Sequence, residues 1–150
     1  MGAYQTVVVG TDGSKSSYRA VDRAADIARD TGSTLVIVSA YHPASQREVA
    51  SATDALGVEA YQVVGSSPAE DALRTGADHA AARGANKVET VAVEGEPVKG
   101  LLKVISDRKA DLLVVGNRGL NTLAGRLLGS VPSDVSRNSP CDVLIVHTVR

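Results

Sequence analysis

The strongest chemical pattern in the chain lies between Asp111 and Ser130, which reads DLLVVGNRGLNTLAGRLLGS. A short apolar run stops at Gly116, and Gly119, Gly129 and Ser130 follow at offsets written G-x2-G-x9-G-S. Glycine reaches left-handed backbone conformations and lets bare N–H groups approach a ligand, and that freedom is expected at Gly116 and Gly119. Gly129-Ser130 precedes a predicted helix, whose first amides lack intrahelical partners and carry partial positive charge. Amides converging from two places suit a phosphate. The stretch is not a P-loop, which needs Lys and Ser/Thr straight after its last glycine. Nor is it the dinucleotide fingerprint G-x-G-x-x-G. The alternative these residues leave open is a glycine-rich surface turn with Ser130 as a plain helix cap.

Other side chains with chemical capacity are more ambiguous. Asp12 follows the first predicted strand, where aspartate also serves local turn hydrogen bonding. Arg118 and Arg126 are placed to meet phosphate with charge-assisted bonds, although arginines on surface loops commonly do nothing specific. His42, His79 and His147 lack metal-ligand spacing. No G-x-S-x-G elbow accompanies Ser14, Ser16 and Ser17, and helix capping accounts for Ser14.

The elements that must position these groups follow from periodicity. Thr6 to Gly10 reads as a first strand, β-branched and apolar, bounded by Thr11-Asp12-Gly13. Ser14 then caps a helix to about Asp30, with Val21, Ala24, Ala25 and Ala28 forming its apolar stripe and Gly32 stopping it. Thr34 to Tyr41 is a second continuous strand, so the first unit is a right-handed βαβ. Residues 42–66 are weakly patterned and read as a loop with a turn of helix. Ser67-Pro68-Ala69-Glu70 is a capping box opening a helix to Arg83, which Gly84 ends. Val88 to Val93 alternates with polar residues, as an exposed edge strand does. Glu96-Pro97 starts a helix carrying Val98, Leu101, Leu102 and Ile105 on one face. Leu112 to Val115 is a strand buried on both sides, a short helix covers about Val131 to Arg137, and Val143 to His147 is the last strand. This order predicts a doubly wound α/β sheet in one domain, 1–150, with ligands bound outside the strand carboxyl ends where strand order reverses.

At 150 residues with 43% hydrophobic content, the chain is sized for one aliphatic core. Aromatic residues are 3%, all four of them tyrosine, so no row of aromatics exists for stacking nucleic-acid bases. Lys and Arg total 16 against 17 Asp and Glu, leaving net charge −1 and no basic excess for nucleic acid or anionic membrane. The single cysteine, Cys141, excludes an internal disulfide and fits a reducing compartment. The first apolar run is short for a signal peptide and lacks basic residues before it, and no segment has the length of a membrane span. A cytoplasmic protein is expected.

The glycine and serine spacing after VVG resembles the nucleotide-binding signature of the universal stress protein family, in the subgroup that binds adenine nucleotides. The resemblance covers nearly the whole chain and is weakest over residues 42–66. It implies a Rossmann-like fold with strand order 3-2-1-4-5, and an ATP, AMP or cAMP ligand at the carboxyl ends of strands 1 and 4. Asp12, flanked by Gly10 and Thr11, is implied to reach the nucleotide, and the backbone of Ala40 to pair with the adenine edge. Gly116, Asn117, Arg118 and Gly119 are implied to border the ligand at one side, and Gly129, Ser130 and Val131 at the other. A sensing or sequestering module follows. A slow ATPase is the rival reading, and beyond Asp12 the sequence offers it no evident base. An interaction protein with a purely structural glycine loop is a third.

Two further expectations complete the set. A carboxylate at Asp12 beside a triphosphate calls for magnesium or manganese between them with ATP, and for none with AMP or cAMP. The apolar run Val143 to Val146 carries no charged gatekeeper, and the resemblance adds that such strands pair across a two-fold axis, so a homodimer is expected.

Overall fold

The computed structural model describes residues 3–42, 67–117 and 130–148. The elements are β1 (Thr6–Gly10), α1 (Lys15–Thr31), β2 (Thr34–Tyr41), α2 (Ser67–Ala82), β3 (Lys87–Glu94), α3 (Pro97–Arg108), β4 (Leu112–Gly116), α4 (Ser130–Asn138) and β5 (Asp142–Val146). All strand pairings are parallel, in the order β3-β2-β1-β4-β5, as the family resemblance implied. The loop expected over residues 42–66 falls, from residue 43 on, outside the described residues.

Alternation along the three inner strands explains why their sequences are apolar without a break. Val7 and Val9 point to one face with Leu35, Ile37, Leu112 and Val114, where Ala20, Val21, Ala24, Ala25 and Ala28 of α1 and Leu73 and Ala80 of α2 cover them. Val8 points to the other with Val36, Val38, Leu113 and Val115, under Leu101, Val104 and Ile105 of α3 and Val135 of α4. A strand sandwiched between two helical layers has no solvent face to make polar. The alanine stripe lets α1 lie close on the sheet. β3 is an edge, and only Val88, Val91 and Val93 along it are partly covered.

Helix boundaries follow local chemistry. Ser14 Oγ accepts the Ser17 N–H at 3.2 Å, and Gly32 (φ 68°) closes α1 as expected, the helix running to Thr31. Gly84 (φ 94°) follows α2. The last strand is one position earlier than its apolar pattern suggested: its ladder ends where Gly116 pairs with Val146, leaving His147 outside it. α2 is clasped to α1 by polar contacts. Arg83 donates two hydrogen bonds to the Asp26 carboxylate, at 2.9 and 2.6 Å, and Arg29 Nη1 donates to the Arg83 carbonyl at 2.9 Å. His79 Nδ1 lies 3.0 Å from Asp22 Oδ1, and its ring stacks on Tyr18 with centroids 4.8 Å apart. Tyr18 in turn donates its hydroxyl to the Ala72 carbonyl at 3.3 Å.

Candidate functional site

The chain runs β1, β2, β3 toward one edge of the sheet, then returns to place β4 and β5 on the other side of β1. The reversal between β1 and β4 opens a crevice beyond their carboxyl ends, where Gly10-Thr11 and Gly116-Asn117 leave the sheet. The first wall is built from hydroxyls. Thr11 is fully buried, and its N–H donates to the Val38 carbonyl at 2.9 Å. Its Oγ1 lies 2.7 Å from Ser17 Oγ and accepts the Gly13 N–H at 3.1 Å, while Ser17 Oγ donates to the Ser14 carbonyl at 2.8 Å. Each hydroxyl has one proton. Because Ser17 spends its own on Ser14, Thr11 must donate to Ser17, so the Thr11 side chain has no proton left for a ligand. The Thr11 hydroxyl holds the turn through Gly13, whose φ of +86° suits glycine.

That turn aims Asp12. The carboxylate is exposed, and Oδ1 accepts the Ser14 N–H at 2.9 Å. Oδ2 has no partner among the described residues, and the amino end of α1 opens just beyond. Asp12 therefore presents one anchored and one available oxygen at the crevice mouth. Among the described residues no group of three or more His, Cys, Asp or Glu could hold a metal ion by itself.

On β2, the ladder explains what Ala40 offers. In a parallel strand the N–H and C=O of a residue point to the same neighbour, and successive residues alternate. Val38 faces β1, since its carbonyl accepts from Thr11; Tyr41 faces β3, since its carbonyl accepts the Gly95 N–H at 2.8 Å. Ala40 thus faces the β1 side, but β1 ends at Gly10, the partner of Val38. The Ala40 N–H and C=O consequently point past the strand end into the crevice as a donor and acceptor pair.

The second wall departs from expectation at Gly116. It is not in the left-handed region; what demands glycine is Thr148, because a Cβ at 116 would stand 3.1 Å from Thr148 Oγ1 and 3.2 Å from its Cγ2. Asn117 donates its N–H to the Val146 carbonyl at 2.9 Å, and its Oδ1 accepts from Thr148. Arg118, Gly119, Arg126 and Gly129 lie outside the described residues. Ser130 and Val131 open α4, whose amino end faces the same end of the sheet. Sequence reasoning missed Thr148, and no local signal marked it. A hollow of about 650 Å3 lined by Tyr4, Asp30, Thr34 and Lys87 lies at the amino ends of β1 and β2, away from this crevice.

A parallel sheet in the order β3-β2-β1-β4-β5, with helices on both faces and a switch point between β1 and β4, defines a Rossmann-like α/β domain. The universal stress protein family model matches residues 3–147, and the chain belongs to that family. It is 55% identical over 148 residues to the universal stress protein Rv1636 of Mycobacterium tuberculosis, covering 99% of both chains. A crystal structure of Rv1636 aligns with 47% identity, TM-score 0.62 and 99% of each chain covered. A crystal structure of a universal stress protein in complex with cAMP aligns at 49% identity and TM-score 0.76, covering 99% of this chain and 100% of that one.

Proposed function

We propose that this protein binds an adenine nucleotide in the crevice, with the base against β2 and the phosphate between the turn after β1 and the amino end of α4, and that it acts as a nucleotide sensor or sequestering module. The observation that carries the reading is the Ala40 N–H and C=O pair, which has no backbone partner among the described residues. Adenine offers a ring nitrogen acceptor beside an exocyclic amine donor, complementary to that pair, whereas guanine presents a carbonyl acceptor beside an N–H donor. The likeness to a protein solved with cAMP supports the same ligand class.

Asp12 divides the ligands. With AMP or cAMP its available oxygen bonds a ribose hydroxyl, and the phosphate rests on backbone amides, those of Gly119, Gly129 and Ser130 foremost. With ATP a carboxylate ~4 Å from phosphate oxygen would be repelled by roughly 4 kcal/mol at an effective dielectric of 20. Asp12 would then hold a magnesium or manganese ion, which would neutralise that repulsion. The module works in the cytoplasm as a homodimer paired along β5. Calorimetric titration of ATP, AMP and cAMP with and without EDTA tests the assignment. Chelator is expected to weaken ATP binding strongly and the monophosphates little, and Asp12→Asn to narrow that difference. Equal loss for all three ligands, or none for any, would remove Asp12 from the phosphate chain.

A further inference from the structure

Thr148 follows the last strand and belongs to no part of the glycine signature, yet it is almost fully buried, at 3% exposure. Its N–H and its Oγ1 both donate to Asn117 Oδ1, at 2.9 and 3.0 Å. The backbone donor settles which amide atom of Asn117 faces it, since only the oxygen can accept. The Thr148 carbonyl accepts from Arg19 Nη1 of α1 at 2.9 Å. Its side chain also fills the space over Gly116 that a Cβ would need. Thr148 thus joins the chain end, α1 and the last two described residues before the glycine stretch in one polar knot.

We propose that Asn117 and Thr148 are a positioning pair for the nucleotide, fixing the direction in which the chain leaves β4 for the phosphate-binding glycines; the proposal rests on the adenine-nucleotide reading above. The N–H, the hydroxyl proton and the carbonyl of Thr148 are all engaged within the protein, so Thr148 has no donor to offer a ligand. The hydroxyl proton can act on affinity only through Asn117. The pair keeps the exit of β4 in one orientation before the ligand arrives, and its loss lowers the binding-competent fraction.

The test is calorimetry with cAMP on the wild-type chain, T148V and T148S. Valine keeps the shape over Gly116 and removes the hydroxyl donor; serine keeps the donor. Losing one hydrogen bond from the competent state is expected to weaken cAMP by roughly fivefold in T148V, and T148S should stay within about twofold of wild type. A merely structural Thr148 would lower the melting temperature of T148V with affinity unchanged at a temperature where it is fully folded, and that result would overturn the proposal. Amide hydrogen exchange on the wild-type chain gives an arm independent of any variant: cAMP should slow exchange of the Thr148 N–H, and an unchanged rate would count against the pair. A wild-type chain that bound no adenine nucleotide would overturn the nucleotide reading and this proposal with it, whereas binding by wild type with T148V unaffected overturns the proposal alone.

Discussion

Gly116 stands where the space for a side chain is already taken. The neighbour is Thr148, which Asn117 and Arg19 hold through three hydrogen bonds, so the small retreat that an added methyl requires would strain them. Gly116→Ala is therefore expected to destabilise the fold by about 1–3 kcal/mol through overpacking, read as a lower denaturant midpoint at unchanged slope. An unchanged midpoint would mean that the knot yields. Residue-scale features were legible in the sequence where the partner is near in the chain. Ser14 as a helix cap and Asp12 in its turn involve contacts two or three residues away. The backbone conformation of Gly116 was misread because what constrains it lies in a residue beyond the last strand; glycine in a loop invites a left-handed φ, and here the reason is room. Ala40 owed its assignment to family resemblance, since only the point at which β1 ends turns an ordinary small strand residue into an open donor and acceptor pair.

Element types came through because periodicity reports burial directly. The unbroken apolar runs of β1, β2 and β4 reflect helical layers on both faces, and the interspersed polar residues of β3 reflect its edge position. The clasp between α1 and α2 was invisible, since Asp26 and Arg83 are 57 positions apart. The Arg83 hydrogen bonds hold the Asp26 carboxyl below the usual aspartate range, and the nearby charges of Arg83 and Arg29 act in the same direction. A carboxyl whose folded pKa is depressed contributes stability above its unfolded pKa, near 3.9, and that contribution is lost as pH falls through the lower folded value. Asp26→Asn should accordingly lower the melting temperature at pH 7, and the gap to wild type should close on acidification through and below the usual aspartate range. A gap of constant size across that range would assign the loss to something other than the ion pair.

At the scale of the whole molecule, strand order is the property least accessible to a single sequence. The order of elements dictated parallel pairing, but nothing local says on which side of β1 the fourth strand inserts, and that insertion creates the crevice. The same topology leaves β5 at an edge, with Ile145 the one large exposed hydrophobic side chain among the described residues. Pairing of two β5 edges would cover it, so light scattering at micromolar concentration is expected to give twice the chain mass; one chain mass would contradict the dimer. Titrating cAMP and cGMP into the same protein by calorimetry tests whether the backbone of Ala40 reads an adenine base. The two ligands share ribose and cyclic phosphate and differ only in the base edge. cAMP is expected to bind about tenfold tighter or more, because guanine sets donor against donor and acceptor against acceptor at Ala40. Equal affinity for the two, or heat from neither, would contradict it.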